Sequence, residues 1–367
     1  MKEMLKDKRN WFLLAWPIGF GLYFLAVNSK EAAENVCARG IFRFFGGVMS
    51  RISGIIPFSL AELLLILFAL FVPTMMIITV IRLIRRKKRL LCVTRALRDT
   101  VIMVGIIFAW FMLGGGVNYY RYEFADYCGL EIQKSTKEEL FELCMSLSQK
   151  ANAARDALGV SESQPYASQL TNRERAKEAQ KAMIKLSGEY EVLEGYYPVP
   201  KSVFFSRAMS EFNITGVYFP WTVEANVNVD IPDYSKGSVL CHELSHLRGF
   251  MREDEANYIG YLAAVNSDSA ELRYSGYMSA LINSGNRLYA EDMEMYYAVA
   301  ATYSEGLRTD MRASHEYWKD FEDTVLSEAG ETMNNVYLKA NSISDGTKSY
   351  GRMVDLLLAE FRLGKDK

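Results

Sequence analysis

The run His242-Glu243-Leu244-Ser245-His246 sets two imidazoles four residues apart, with a carboxylate beside the first. On an α-helix, residues four apart lie on one face, so both rings can reach one metal ion while Glu243 holds a water beside it. Two of the three histidines in the chain fall in this run. The spacing predicts a Zn²⁺ site on a helix, with His242 and His246 as ligands and Glu243 as a general base.

A catalytic zinc ion needs a third protein ligand. The downstream candidates are Glu253, Asp254, Glu255 and the remote His315. On an unbroken helix, Glu253 would lie about 10.5 Å beyond His246 along the axis, far outside a coordination bond. The chain must therefore turn, and Gly249 is the residue that permits a turn.

We expect the next helix to begin near Arg252, with acids in its first turn as the helix dipole prefers. Glu253 is the favoured ligand because its helix face is almost all small and permits close packing. That face carries Ala256, Asn257, Gly260 and Ala264. Glu255 is the alternative ligand, on a bulkier face with Ile259 and Leu262.

Three short β-like runs precede the motif, at residues 203–205, 217–219 and 223–229. In the last run, apolar residues alternate with Glu224, Asn226 and Asn228. We predict that this run is the sheet edge that binds an extended peptide by strand addition, with ordinary sheet structure as the alternative.

Most of the remaining sequence after residue 118 has helical periodicity. The predicted helices are residues 135–158, 172–188, 258–266, 291–302, 312–326 and 350–363. Residues 118–367 are therefore predicted to form a mostly α domain of the α+β class, with a small β-sheet just before the histidine motif.

Residues 1–117 have a different composition, with 16 Lys+Arg and 6 Asp+Glu against 26 and 38 in the rest of the chain. Three apolar runs, at residues 11–27, 55–81 and 101–117, approach or exceed the roughly 20 residues that a membrane span needs. We predict a membrane anchor of three transmembrane helices, with the lipid bilayer as a partner. The acidic second part has no basic run, which argues against nucleic-acid binding.

Lysine and arginine in short loops indicate which side of the membrane is cytoplasmic. The N-terminal tail holds four basic residues and the loop between the second and third runs holds eight. The longer first loop has only Lys30, Arg39, Arg43 and Arg51. We predict a multi-pass protein of the cell membrane with residues 118–367 extracytoplasmic; the alternative for the first run is a cleaved secretory signal.

The five cysteines include no CxxC pair, which excludes a disulfide framework. Cys128 and Cys144 are the one pair considered for a bridge on the oxidising side of a membrane. Free buried thiols are the simpler interpretation.

A site that hydrolyses amides also needs a hydrogen-bond donor for its tetrahedral intermediate. The possible donors are His315, Tyr350 and Arg352. We expect a zinc endopeptidase that acts on a peptide or protein. The rival hypothesis is a non-catalytic scaffold or sensor that binds a peptide or protein partner. The presence of Glu243 favours the enzyme, because a purely structural metal site gains nothing from a general base.

The motif, followed by Glu253-Asp254-Glu255-Ala256-Asn257, resembles the gluzincin metallopeptidases, in which a glutamate from a second helix completes the zinc site. The resemblance implies a zincin-like fold, zinc held by His242, His246 and Glu253, and Asn257 as a hydrogen-bond partner of a ligand. The interval before Glu253 is shorter than in typical gluzincins, and Asn257 replaces their usual aspartate. The whole chain is similar to a bacterial membrane family known as domain of unknown function 3810.

Overall fold

A computed structural model describes residues 7–85, 89–341, 343 and 351–365. The chain divides into two compact units. The first unit consists of Met1–Tyr122 and Phe219–Glu224, and the second of Glu123–Tyr218 and Ala225–Lys367. The division falls after Tyr122, five residues beyond the predicted boundary, and the return of a short later segment to the first unit was not predicted.

The first unit is helical. Its principal helices are α1 (Lys8–Asn28), α2 (Arg43–Ile55), α3 (Leu60–Arg85) and α4 (Arg89–Gly114). Of the helices that the structure describes, α1, α3 and α4 are long and apolar enough to cross a membrane. The prediction of three spanning helices is confirmed in length and composition.

The bounds of the second and third spans differ from the predicted 55–81 and 101–117. Helix α3 begins only at Leu60, where the Ser59 hydroxyl accepts a hydrogen bond from the Glu62 N–H at 3.0 Å. Helix α4 ends at Gly114, because Gly115 has a φ of 154°, a conformation that glycine adopts far more readily than other residues. Helix α3 continues past residue 81 to Arg85, and α4 begins at Arg89, before residue 101. Both added segments contain basic residues, which a helix accommodates as readily as apolar ones.

The predicted first loop is helical rather than irregular. A helical turn at Lys30–Ala32 leads into a π-helix at Ala33–Phe42, which continues as α2. The buried Glu34 in the π-helix pairs with Arg121 at 2.9 Å and with Arg39 at 2.8 Å. The segment between the first two spans is thus a folded part of the first unit.

The segment Phe219–Glu224 is bound within the first unit by specific hydrogen bonds. The Glu224 carboxylate accepts from the Leu60 N–H at 3.3 Å and the Ala61 N–H at 2.9 Å, and so caps α3. The Trp221 indole donates to the Ile107 carbonyl at 3.1 Å, and the Trp110 indole donates to the Trp221 carbonyl at 3.0 Å. Glu224 was predicted to face substrate, but its carboxylate is a helix cap.

In the described residues, the second unit contains eleven α-helices, a short 3₁₀-helix (Glu191–Leu193) and most of a small sheet. The helices are α5 (Phe124–Cys128), α6 (Lys137–Asp156), α7 (Asn172–Ser187), α8 (Ser206–Glu211), α9 (Asp233–His246), α10 (Glu253–Val265), α11 (Ala270–Glu291), α12 (Met293–Ala300), α13 (Glu305–Lys319), α14 (Val325–Ala340) and α15 (Met353–Lys365). The strands are β1 (Lys201–Ser202), β2 (Gly216–Phe219) and β3 (Glu224–Val227). The prediction of a mostly helical protein with a small sheet is confirmed.

Local capping explains where several helices begin. Thr136 and Glu139 form a reciprocal capping box at the start of α6, as the sequence around residue 135 predicted. The predicted helix at 312–326 was wrong as one element: α13 ends at Lys319, and a second capping box at Thr324 starts α14.

All five cysteines are free thiols.

The sheet has the strand order β1-β3-β2. Strand β3 runs parallel to β1, with Lys201 opposite Asn226 and Ser202 opposite Val227. The prediction that residues 223–229 form the sheet edge was wrong, because β3 is the central strand and is buried along its length. The edge strand on the other side of β3 is β2. The first predicted run, 203–205, lies just beyond β1 and leads into α8.

The core of the second unit surrounds α9, which packs against α7, α10 and α11. Its apolar face is fully covered, and Leu240, Cys241 and Leu244 are buried. A helix that is enclosed in this way has little freedom to shift, so the histidine motif is carried on a rigid element.

We predict that Glu224→Gln destabilises the full chain by about 1.5–3 kcal/mol, because hydrogen bonds to a charged group are lost at the start of α3. Thermal unfolding in detergent measures the effect. Glu31→Gln, an exposed charge change in the same unit, is the matched control and should leave the midpoint within a degree or so. Equal midpoints for both variants would contradict the capping role.

Candidate metal centre

The candidate metal centre lies where the chain turns between α9 and α10. Helix α9 ends at His246, and Gly249 then adopts a left-handed φ of 84°. Arg252 is extended and α10 begins at Glu253. The turn predicted at Gly249 and the helix predicted after Arg252 are both present.

The two helices approach closely at Gly260. A Cβ atom at this position would lie 2.9 Å from the His242 nitrogen and 3.1 Å from its Cα. The small face predicted for α10 therefore packs on the backbone that carries the first histidine. This close approach brings Glu253 to the histidines.

Three side chains converge at this turn. The Nε2 atom of His242 lies 3.1 Å from Glu253 Oε2 and 3.2 Å from His246 Nε2. The three possible ligand atoms all lie within 4.8 Å of one another. Ligand atoms on a tetrahedral zinc ion, with bonds of about 2.0–2.1 Å, are about 3.3–3.4 Å apart. The two distances from His242 are close to this value, and a zinc ion would draw Glu253 and His246 to the same separation.

Hydrogen bonds orient both imidazoles. The Nδ1–H of His242 donates to Asn257 Oδ1 at 2.8 Å, and that of His246 donates to the Phe250 carbonyl at 2.6 Å. Each Nε2 therefore presents a lone pair to the other when the rings are neutral. Two such lone pairs repel unless a proton or a metal ion lies between them, which is the arrangement expected of metal-ligating histidines. Asn257 was predicted as a partner, whereas the Phe250 carbonyl was not.

Glu243 is 3 % exposed and lies against strand β2. A Cβ atom at Gly216 would clash with Glu243 Oε1, and the Tyr218 N–H donates to the Glu243 carboxylate. Glu243 Oε2 is buried and has no hydrogen-bond partner among the residues that the structure describes. The Tyr218 ring also lies beside His246, with centroids 5.9 Å apart.

Burial and neighbouring charges raise the pKa of His242 and of Glu243 and lower the pKa of His246. Burial alone lowers the pKa of His242, but the hydrogen bond and charge of Glu253 outweigh it and raise the pKa to about 9. Burial raises the pKa of Glu243 to about 8, against the opposing charge of His242. Burial lowers the pKa of His246 to about 4. In the metal-free protein at neutral pH, His242 therefore holds a proton that a metal ion must displace.

Other residues predicted for the site make different contacts or lie on the surface. The Glu255 carboxylate accepts from the Phe124 N–H at 2.8 Å and is not one of the three converging ligands. Arg352 pairs with Asp254 at 3.0 Å. His315 is exposed on α13, and Tyr350 lies outside the described residues.

Asn226 of β3 and Asn228, just after the strand, donate hydrogen bonds within the protein interior. Asn226 Nδ2 donates to the Val217 carbonyl at 3.4 Å, and Asn228 Nδ2 donates to the Ile214 carbonyl at 3.0 Å. Both side chains are buried. The two side chains were predicted to bind substrate. Instead, their hydrogen bonds connect β3 and the residue after it to the chain at and just before β2.

The sequence model of a family described as "Protein of unknown function (DUF3810)" matches residues 38–358. The chain belongs to this family. No curated protein and no solved structure matches the chain. The matched range of this DUF3810 member includes α3, α4 and the whole metal centre, so both units are parts of one family architecture.

We predict that the zinc affinity of this DUF3810 protein rises about tenfold per pH unit between pH 6 and 8. One proton on His242 must leave when zinc binds, and its raised pKa keeps that proton in place below pH 9. His246 does not compete, because its pKa is lowered to about 4. Chelator competition with the full chain in detergent measures the affinity. An affinity that is constant across this range would contradict the raised pKa of His242.

Proposed function

We propose that this DUF3810 protein is a membrane-anchored zinc metallopeptidase with a zincin-like catalytic unit. The observation that carries the proposal is the convergence of His242, His246 and Glu253 beside a buried carboxylate. Three protein ligands leave one position for water, which is typical of catalytic rather than structural zinc. Glu243 would be dispensable in a purely structural site.

The chemistry follows from the position and pKa of Glu243. A zinc ion bound by the three ligands would lower the pKa of a water and polarise a carbonyl group. Glu243 then accepts the proton of the water and donates it to the leaving nitrogen. In the metal-free protein, burial raises the pKa of the Glu243 carboxyl to about 8. The charge of a bound zinc ion would lower that pKa and favour the carboxylate that accepts the proton.

Strand β2 is the proposed binding edge for an extended peptide. The Tyr218 N–H donates to Glu243, so the edge of β2 borders the carboxylate that would act on the scissile bond. A peptide that adds to β2 would present its backbone to the metal centre. The Tyr218 phenol, beside His246, is our candidate donor for the tetrahedral intermediate, since burial raises its pKa and keeps it protonated.

The test uses the full chain in nanodiscs, with zinc content measured by mass spectrometry and cleavage measured on a peptide library. We expect Glu243→Gln to retain one zinc ion and to lose cleavage by about 10²–10⁴-fold, because only the proton transfer is removed. Gly216→Ala should have a similar effect, since the added methyl group displaces the Glu243 side chain. Glu316→Gln, on the exposed face of α13, is the matched control and should behave as the wild type.

The outcomes separate the peptidase from its rival. Zinc in every variant with cleavage in none would favour the non-catalytic scaffold or sensor. Absence of zinc from the wild type would overturn the metal site itself. Cleavage by the Glu243→Gln variant at the wild-type rate would overturn the assigned general base.

We further propose that the metal centre is extracytoplasmic. Eight basic residues lie between the apolar runs of α3 and α4, against four in the longer segment between α1 and α3, and positive charge stays in the cytoplasm. A reporter that is active only outside the cytoplasm, fused after Lys367, should be active. The same reporter fused between α3 and α4 should be inactive. The reverse pattern would contradict this orientation.

A further inference from the structure

Helix α2 has an inverted distribution of polar and apolar residues. Its buried face is small or polar and consists of Gly46, Gly47, Ser50 and Ser53. Its exposed face is a stripe of large apolar residues: Phe44, Val48, Ile52 and Ile55, with exposed fractions of 76 %, 43 %, 52 % and 82 %. A helix on a water-facing surface has the opposite pattern, so the exposed stripe indicates an apolar neighbour.

Helix α2 is the last part of a continuous helical segment from Lys30 to Ile55, and this segment is not a fourth span. It carries six charged side chains, and of the helices that the structure describes only α1, α3 and α4 are long and apolar enough to cross a membrane. Helix α2 therefore does not cross the membrane, although its exposed face resembles the surface of a spanning helix.

The contacts of α2 place it near the ends of two spans. Phe45 packs edge-on against Trp110 of α4, with ring centroids 5.6 Å apart. Trp110 lies four residues before the end of α4, about 6 Å along the axis, and tryptophan prefers this interfacial depth. At its other end, α2 stops at Ile55, five residues before α3 begins at Leu60.

The charges of α2 fit a lipid headgroup region. The helix contains no acidic residue, and its two basic residues, Arg43 and Arg51, are both exposed. Arg51 borders the apolar stripe, whereas Arg43 is the first residue of the helix and lies on its other side. Arg51 Nη1 donates to the Gly47 carbonyl at 2.7 Å, so its stem lies along the helix surface. Basic residues next to an apolar stripe are typical of helices that lie on anionic lipid surfaces.

We propose that α2 is an interfacial helix that lies in the plane of the membrane, with its apolar stripe in the acyl boundary and with Arg43 and Arg51 on the phosphates of anionic phospholipids. The partner is the bilayer surface, and the protein is held by this helix in addition to three spans. A second copy of the chain is the competing occupant of the stripe, and the experiment distinguishes the two. The inference does not depend on peptidase activity.

The first test introduces the photo-crosslinker benzoylphenylalanine at Phe44 or Ile52 of the full chain in nanodiscs that contain phosphatidylglycerol. His315, exposed on α13, is the control position. We expect phospholipid adducts from both α2 positions and none from the control. Crosslinked dimers, or no adduct from folded protein, would overturn the proposal.

The second test measures phosphatidylglycerol binding by native mass spectrometry. Arg43→Gln and Arg51→Gln should each weaken binding about fivefold, the effect expected for one basic residue near an anionic surface. Lys319→Gln, an exposed charge change on α13, is the matched control and should have no effect. Unchanged binding in both arginine variants would overturn the headgroup contact, whether or not the stripe meets lipid.

Discussion

The 3.2 Å separation between the Nε2 atoms of His242 and His246 is the constraint on which the second unit depends. Two imidazoles whose Nδ1–H groups are already committed tolerate this distance only when a positive charge, proton or metal, lies between them. The charge in turn requires a buried carboxylate, which Glu253 supplies from a second helix. That helix reaches the pair only because Gly249 reverses the chain and Gly260 has no side chain to hold the helices apart.

The sheet fixes the position of the glutamate of the motif, Glu243. Gly216 leaves room for its carboxylate, and the Tyr218 N–H fixes one side of it, so the edge strand and the metal helix position the group jointly. The other oxygen is buried with no partner among the described residues, although a buried carboxylate oxygen without a hydrogen bond is costly. Proteins retain such groups mainly where a reaction or a ligand needs them, and this cost is part of the support for a catalytic role.

Features that depend on local sequence were predictable. Helical spacing indicated the histidine pair, the small face of α10 indicated Glu253, and apolar length indicated three spans. Strand order was not predictable, because the alternation in residues 223–229 fits a central strand as well as an edge. The role of Glu224 was missed for a related reason: its partners, Leu60 and Ala61, lie more than 160 residues away, and no local pattern indicates such a contact. Gly216 was missed because a glycine at the start of a short strand has no distinctive spacing.

The return of Phe219–Glu224 to the first unit means that no single cut separates this protein into its two parts. A fragment that starts at Glu123 would still contain the Trp221 indole and the Glu224 carboxylate, but not the carbonyl and N–H groups that they bind. Trp221, in the connection between β2 and β3, and Glu224, the first residue of β3, would then lack these partners. The strand beside Glu243 would lead into a connection without its hydrogen bonds to the first unit, so the Glu243 carboxylate in such a fragment would be held less firmly than in the intact chain. Inactivity of such a fragment would reflect the truncation, not the chemistry of the intact chain.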